Sequence, residues 1–431
     1  MSETPEDIPT SPPSGFSRRD LLGLLGAGAA GIAVGTAAGL GIAAANASSP
    51  AGTAPSGSRR YPFSGTHQSG ILTPVQDRLH FAAFDMSTTA TRDQLVSLLK
   101  DWSAAAALMV QGQEIGATGA TGGPATLPPA DTGEAIGLPA SGLTITFGLG
   151  PALFDAGRFG LEGSRPQLLQ ALPRFRGDAL LAQYTGGDLC VQACADDPQV
   201  AVHAIRNLSR IAFGRASLRW SQLGFGRTSS TSTTQVTARN LMGFKDGTAN
   251  LKSEDAATAD AVWVTAADDP GAAWLEGGSY LVARRIRMLI EAWDRAQLGD
   301  QENTIGRDKA QGAPLSGGTE FTAIDLSATG PSGAALVPKD AHVRLAHPTM
   351  NGGAQLLRRG YNFVDGNDDL GRLDAGLFFL SYQRSPEQFI RVQTSLSTDA
   401  LNEYIKHVGS GIWAVPPGAS AGGWVGETLF A

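Results

Sequence analysis

Hydrophobic positions in the first half of the chain form short continuous or alternating runs in some segments and recur every three to four residues in others. The runs, predicted to be strands, are 78–86, 143–147, 188–195 and 218–225. The periodic segments, predicted to be helices, are 91–102 and 198–213. A capping Thr opens the first helix and Asp197-Pro198 opens the second, as is common at helix starts. The stretch 112–141 is rich in Gly, Pro and Thr and is expected on the surface.

The order of these elements is strand, helix, strand, strand, helix, strand, which is typical of a ferredoxin-like fold with an antiparallel sheet. The second half repeats the pattern in part, with predicted strands at 280–286 and 376–383 and predicted helices at 290–297 and 387–396. A polar run at 228–235 separates the halves. We therefore expect an α+β protein of tandem ferredoxin-like domains with helices packed on the sheets, over 63–230 and 231–431.

The N-terminus has the pattern of an export signal. Arg18 and Arg19 precede a weakly hydrophobic run of Ala and Gly over 21–45, which ends in the small-residue sequence Ala-Asn-Ala. This pattern predicts a twin-arginine signal peptide over 1–47 and a linker over 48–62, and hence a periplasmic or secreted protein. A retained membrane anchor is the alternative, because the run exceeds the ~20 residues that span a bilayer. The Gly content and the Ala-Asn-Ala ending favour cleavage.

Composition narrows the function only by exclusion. The 431 residues are 42% hydrophobic and 17% charged, with a net charge of -7, and no Lys/Arg-rich run would form a nucleic-acid surface. Cys190 and Cys194 lie four residues apart on one predicted strand, so their backbones are separated by ~13 Å, too far for a disulfide. We expect two buried thiols.

Candidate chemistry lies in the second half. Asp246 stands in the sequence Gly-Phe-Lys-Asp-Gly-Thr, where glycines permit a tight loop and close approach to a flat ligand. By itself, Asp-Gly is also the commonest turn dipeptide. An acid, a histidine and an arginine are the side chains needed to bind an iron porphyrin and split a peroxide, and the pair Arg358-Arg359 follows downstream.

A haem iron requires one neutral imidazole whose other nitrogen is hydrogen-bonded. The histidines of the chain are His67, His80, His203, His342, His347 and His407. His80 and His203 lie within a predicted strand and helix, where core or surface roles are expected, and His407 is placed near a helix end. His342 and His347 remain, and composition does not separate them.

Five sequence blocks together resemble the dye-decolorising peroxidases, with most similarity to their exported, deferrochelatase-like branch. The blocks are 243–250, 305–309 with 312–315, 340–345, 357–361 and 376–383. The resemblance extends from about residue 63 to the C-terminus in one register. It implies a fold related to the dimeric α+β barrel superfamily and a haem b cofactor, iron protoporphyrin IX.

The resemblance also implies roles by position. His342 corresponds to the iron ligand and His347 to a residue beside the haem, while Asp246 and Arg358 match the distal acid and arginine. Arg358 also contacts the haem, and Arg359 is its neighbour without a catalytic role. The further expected haem contacts are Gly247, Thr248, Ala249, Pro348 and Thr349. Glu403 is a candidate hydrogen-bond acceptor for His342.

The implied reaction is reduction of hydrogen peroxide through a ferryl intermediate, followed by oxidation of dyes, phenols or other organic reductants. Asp246 would move the proton and Arg358 would stabilise developing charge. Large reductants cannot enter a small distal pocket, so electrons are expected through surface aromatic residues. The candidates are Trp102, Trp220, Trp263, Trp274, Trp293, Trp413, Trp424 and Tyr382.

Two other functions are compatible with the sequence, one that needs the same haem ligands and one that needs no haem. A deferrochelatase-like protein would release iron from haem for an iron-uptake system and would need the same ligands. A structural two-domain binding module would need no haem. The expected partners are the twin-arginine export machinery, iron-uptake components in the second reading, and a further copy of the chain in a homo-oligomer; no nucleic acid is expected.

Overall fold

The computed structural model describes residues 59–431. The predicted signal peptide and most of the predicted linker, residues 1–58, lie outside the described residues. Within 59–431, no helix combines the length and the apolar character that a membrane span requires.

Nine strands and eight α-helices form the described part of the chain. The strands are β1 (Arg78–Met86), β2 (Thr144–Leu149), β3 (Leu189–Ala195), β4 (Ala216–Arg227), β5 (Ser279–Met288), β6 (Leu357–Arg358), β7 (Tyr361–Asn367), β8 (Leu373–Gln383) and β9 (Ile405–Val415). The helices are α1 (Arg92–Met109), α2 (Pro198–Ala212), α3 (Ala257–Val262), α4 (Ile290–Trp293), α5 (Leu298–Ile305), α6 (His342–Leu345), α7 (Pro386–Ser395) and α8 (Glu427–Phe430).

The first half is the ferredoxin-like unit that the sequence predicts. Its strands lie side by side in the antiparallel order β4-β1-β3-β2, with α1 and α2 packed on one face. Thr91 caps α1 in a reciprocal capping box with Gln94, and Asp197 caps α2. Buried Trp102 of α1 donates its indole N–H to the carbonyl of Leu208 in α2, 2.8 Å away, which joins the two helices.

The second half repeats this arrangement with the order β9-β5-β8-β7. Two of its strands, β7 and β9, are absent from the sequence prediction. The expected position of His407 near a helix end is wrong, because the residue is buried within β9. The sequence of β9, Ile-Lys-His-Val-Gly-Ser-Gly-Ile-Trp-Ala-Val, carries two glycines that interrupt the hydrophobic pattern.

The two units share one barrel. The pairings β2–β9 and β4–β7 join the halves, and β5–β8 closes the ring of eight strands, with the short β6 added beside β8. Aromatic rings fill the interior: Phe81 lies 5.2 Å from Trp220 and from Phe378, and 5.5 Å from Trp413, between ring centroids. The barrel core is therefore packed, and any ligand site must lie outside it.

The cysteines agree with the prediction. Cys190 and Cys194 are both free and buried on β3. Burial raises the pKa of each thiol, so neither is activated as a thiolate.

Candidate active site

A cavity of about 470 Å³ lies in the second half, between the outer face of β5, β8 and β9, helices α6 and α7, and the loop that carries Asp246. Its walls are mostly apolar. The predicted site residues that line it are Asp246, Gly247, Thr248, Ala249, His342, His347, Pro348 and Arg358. Thr349 does not line it; its hydroxyl lies 2.8 Å from Nδ1 of His347 instead.

The loop of Asp246 is a tight hairpin rather than an isolated turn. The backbone N–H of Asp246 donates to the carbonyl of Ala238 at 2.9 Å, and Arg239 pairs with Lys245. Gly247 has a φ of 88°, and a Cβ there would lie 2.9 Å from the Cα of Ser229. Glycine is therefore required both by the left-handed backbone and by the close approach of a second chain segment.

Asp246 and Arg358 form an ion pair at the cavity wall. The guanidinium Nη1 of Arg358 lies 2.7 Å from Oδ1 of Asp246, and Asn240 donates from Nδ2 to Oδ2 at 3.3 Å. The side chain of Asp246 is 14% exposed and that of Arg358 is 29% exposed. Each carboxylate oxygen thus has its own N–H donor, which fixes the plane of the acid.

His342 lies at the start of α6, and its side chain is held by the buried carboxylate of Asp399. Its Nδ1 lies 2.6 Å from Oδ2 of Asp399, whose other oxygen accepts the N–H of Leu401 at 2.8 Å. The prediction of Glu403 as the partner is wrong. Asp399 caps the short turn that leads to Glu403, so the acid nearest to His342 lies four residues earlier in the chain.

Two opposing effects act on His342. Burial lowers the pKa of His342. The charge and hydrogen bond of Asp399 raise this pKa, and together they outweigh the effect of burial, so the net pKa lies above the ordinary value. Asp246 adds to this rise and Arg358 opposes it, consistent with all these groups facing one cavity. Because Nδ1 is engaged with Asp399, Nε2 is the nitrogen left for a metal.

His347 has the opposite arrangement. Its Nδ1 accepts the backbone N–H of Thr349 at 3.3 Å, in addition to its contact with the threonine hydroxyl. Burial, aided by the charge of Arg307, lowers the pKa of His347. With Nδ1 acting as acceptor, the proton of the neutral ring is on Nε2, so His347 is a hydrogen-bond donor rather than a metal ligand in this geometry.

The neighbouring arginines point in different directions. Arg359 is fully buried and donates to the carbonyl of Thr73 and to Oε1 of Gln76, each at 2.5 Å. It therefore anchors the strand of Arg358 to the first half and does not reach the cavity.

Further cationic or titratable groups at the cavity were not predicted as site residues from the sequence; they include Lys245, Arg284, Arg307 and His407. Arg284 is buried in an ion pair with Asp178, and Arg307 donates to the carbonyls of Gly312 at 2.7 Å and Glu320 at 3.0 Å. His407 is also in the lining, and burial together with Arg284 lowers its pKa to about 4. Arg307 belongs to one of the sequence blocks of the resemblance, but nothing in its spacing pointed to the cavity.

The chain belongs to the Dyp-type peroxidase family, whose members are haem-binding oxidoreductases. The N-terminal domain of that family matches residues 68–226 and the C-terminal domain matches 237–420. The second match contains every predicted site residue.

Named relatives cover nearly the whole chain. A "Dye-decolorizing peroxidase" of Thermobifida fusca (strain YX) is 36% identical over 98% of this chain and 99% of its own length. A "Deferrochelatase" of Escherichia coli (strain K12) is 38% identical over 96% of this chain and 97% of its own. The crystal structure of a DyP-type peroxidase from Streptomyces coelicolor covers 87% of this chain and 98% of its own, with 43% identity and a TM-score of 0.80. The chain is thus an enzyme of the peroxidase class with the fold of these relatives.

Proposed function

We propose that this chain is a haem b peroxidase that reduces hydrogen peroxide and oxidises organic compounds. The observation that carries the proposal is that one cavity is lined both by His342, oriented by Asp399, and by the Asp246–Arg358 ion pair. These are an iron ligand with its acceptor and a distal acid with its cation.

The residues present fit a porphyrin. The cavity offers mostly apolar walls and the imidazole of His342, whose Nδ1 is engaged by Asp399 so that Nε2 is left for a metal. Among residues 59–431, no three His, Cys, Asp or Glu side chains converge on a common metal position. Bound haem supplies a redox-active iron that accepts peroxide and stores its oxidising equivalents.

Asp246 and Arg358 have complementary tasks. Peroxide cleavage requires a proton to move from the inner to the outer oxygen, and an ionised Asp246 can accept that proton and return it to the leaving oxygen. Arg358 stays protonated and donates N–H groups, so it stabilises the negative charge that develops on the leaving oxygen. Asp399 holds the ring of His342 in an orientation that leaves Nε2 for a metal.

Organic reductants larger than the cavity would transfer electrons through aromatic side chains. Seven of the eight candidates are buried; Trp424 is half-buried and packs against Phe430. Inside the barrel, the rings of Trp220 and Trp413 lie 6.4 Å apart. Most candidates therefore serve the core, and the half-buried Trp424 is the most accessible of them to an external reductant.

The sequence at the N-terminus supports export by the twin-arginine machinery, to the periplasm or beyond the cell. Replacing Arg18 and Arg19 by lysine should leave the protein in the cytoplasm when cell fractions are probed with antibody. Correct export of the double variant would contradict this part of the proposal.

Release of iron from haem is the second candidate, because several relatives of 38% identity are named deferrochelatase. Haem-loaded protein should then yield fluorescent metal-free porphyrin on incubation with a reductant. Peroxide-dependent dye oxidation without such porphyrin would favour the peroxidase.

The decisive experiment compares absorption spectra of variants before and after peroxide. His342→Ala should lose the Soret band of the ligated haem, whereas His347→Ala should keep it. Asp246→Ala and Arg358→Ala should keep the band but respond to peroxide more slowly. Retention of the band in His342→Ala together with its loss in His347→Ala would reverse the ligand assignment.

A further inference from the structure

Asn250 lies outside the cavity yet contacts both segments that carry the distal pair. Its Oδ1 accepts the backbone N–H of Arg358 at 2.7 Å, and its Nδ2 donates to the backbone carbonyl of Arg358 at 2.9 Å. Asn250 is four residues after Asp246, and its own N–H donates to the carbonyl of Gly247 at 3.0 Å. The side chain, in a residue only 5% exposed, also donates to the carbonyl of Ser230 at 3.0 Å.

The two hydrogen bonds from Asn250 to the backbone of Arg358 take the place of hydrogen bonds from a neighbouring strand. Arg358 lies in the two-residue strand β6, which pairs with β8 on one side; the N–H of Arg359 donates to the carbonyl of Leu380 at 2.8 Å. The N–H and C=O of Arg358 point to the other side, where no strand of the described residues lies, and the amide of Asn250 satisfies both. A side-chain amide carries one acceptor and one donor group in a plane, as a backbone peptide does.

We propose that Asn250 is a positioning residue that sets the distance between Asp246 and Arg358. The inference rests on the proposed role of that pair. Asn250 acts through the backbone of Arg358 and not on peroxide or haem, because it does not line the cavity. Without it, Arg358 is tied to the loop of Asp246 only through its flexible guanidinium, and displacement by ~1 Å is enough to slow a positioned reaction on the order of a hundredfold.

Two substitutions separate the parts of the clamp. Asn250→Ala removes both hydrogen bonds to Arg358, as well as the one to the carbonyl of Ser230, and deprives the backbone N–H and C=O of Arg358 of these partners. Asn250→Asp keeps the acceptor for the N–H but places a carboxylate oxygen against the carbonyl. Asn207→Ala is the matched control, because Asn207 is a fully buried asparagine in α2 that joins Thr132 and His203 away from the cavity.

The test uses the haem-loaded chain with three readouts. These are the rate of the spectral change on mixing with peroxide, the dissociation constant of fluoride for the ferric protein, and the haem affinity of the apoprotein. Asn250→Ala should slow the peroxide step by roughly tenfold to a hundredfold and weaken fluoride binding by roughly tenfold, since a displaced guanidinium no longer donates to the anion. Haem affinity should stay within about twofold, because the walls and His342 are unchanged.

Asn250→Asp should give a peroxide rate and a fluoride affinity between those of wild type and Asn250→Ala, and it decides the question if Asn250→Ala does not fold.

A double variant shows whether Asn250 works through Arg358. Asn250→Ala introduced into Arg358→Ala should slow the peroxide step no further, because the group it positions is gone. A further loss of tenfold or more in that background would overturn the inference, as would wild-type peroxide and fluoride behaviour in both Asn250 variants. If Arg358→Ala itself reacts at the wild-type rate, the proposed role of the distal pair fails, and the inference fails with it for that separate reason. Asn207→Ala should lower the unfolding temperature and leave the peroxide rate, the fluoride affinity and the haem affinity unchanged.

Discussion

His342 and Asp399 are joined by a 2.6 Å contact between Nδ1 and Oδ2, although 57 residues separate them in the chain. The side chain of Asp399 is 2% exposed, so this carboxylate has little water to solvate it, and its charge acts strongly on the imidazole. The contact fixes which nitrogen of His342 faces the cavity and increases the basicity of that nitrogen. It thus determines both the orientation and the strength of the proposed iron ligand.

Asp399→Asn should therefore weaken haem binding by roughly tenfold to a hundredfold, the usual effect of removing an acceptor behind a metal-bound histidine. The measurement is titration of the apoprotein with hemin, followed at the Soret band. Glu403→Gln is the control, because Glu403 makes no hydrogen bond to His342. An unchanged affinity in Asp399→Asn, or a larger loss in Glu403→Gln, would contradict the assignment.

Neighbouring arginines allow catalysis and folding to be separated. Arg358→Ala should slow the reaction with peroxide by roughly a hundredfold or more and change the unfolding free energy little, because its partner Asp246 stays accessible to water in the cavity. Arg359→Ala should lower the unfolding free energy by about 2 to 4 kcal/mol, because it leaves Oε1 of the buried Gln76 without its donor and removes one of the two donors to the carbonyl of Thr73.

The measurements are stopped-flow mixing with peroxide and chemical denaturation of the same samples. For Arg359→Ala the peroxide rate is taken only from the folded fraction at low temperature. If Arg359→Ala slowed peroxide as much as Arg358→Ala in fully folded protein, the assignment of the two roles would be reversed.

The first half of the fold could be predicted from the sequence because its elements are local patterns. Strand β1 is a continuous hydrophobic run, and the two capped helices are periodic segments with clear starts. Strand β9 escaped prediction because Gly409 and Gly411 interrupt it, and a Cβ at Gly411 would lie 2.1 Å from the ring of Trp413. These glycines are required by contacts that form only in the folded barrel. The local pattern of hydrophobic residues carries no information about such contacts.

The candidate site was predicted in part for a related reason. Motif register assigned Asp246, His342 and Arg358 to one site because each lies in a recognisable block, and all three line one cavity. Asp399 lies in no such block, and only the loop before β9 brings it to His342. Asn250 was within a recognised block, but its contacts to Arg358, 108 residues away, depend on how the two segments cross.

Gly247→Ala tests whether the loop beside the distal acid needs glycine for its backbone or for space. An alanine at φ 88° costs about 1 to 2 kcal/mol, and here its Cβ would also meet the Ser229 backbone at 2.9 Å. We expect a larger loss of stability than that backbone cost and a slower peroxide reaction, because the loop of Asp246 must shift. Denaturation and stopped-flow mixing measure the two effects.

Gly137→Ala provides the matched control. Gly137 has a φ of 80° and nothing within 4 Å of an added Cβ, so only the backbone cost applies. Equal losses of stability in the two variants, with an unchanged peroxide rate in Gly247→Ala, would show that the close approach to Ser229 is unimportant.

Stability should fall as the pH is lowered through a half-buried histidine, His80, on the outer side of β1. Desolvation lowers the pKa of His80 to about 4, and its Nδ1 has no hydrogen-bond partner among residues 59–431. Between the unfolded pKa of about 6.5 and the folded value, the unfolded chain binds a proton that the folded chain does not, so acidification favours unfolding. The full effect of this group is about 3 kcal/mol, absent above pH ~7 and complete below pH ~4. His80→Phe should remove it, which is measured as the difference between wild type and variant in urea unfolding at pH 7 and pH 4.5. Carboxylates that titrate in the same range affect both proteins equally, so they cancel when the variant is subtracted from wild type. If both proteins lost the same stability between pH 7 and pH 4.5, the assignment of a neutral His80 in the folded state would be contradicted.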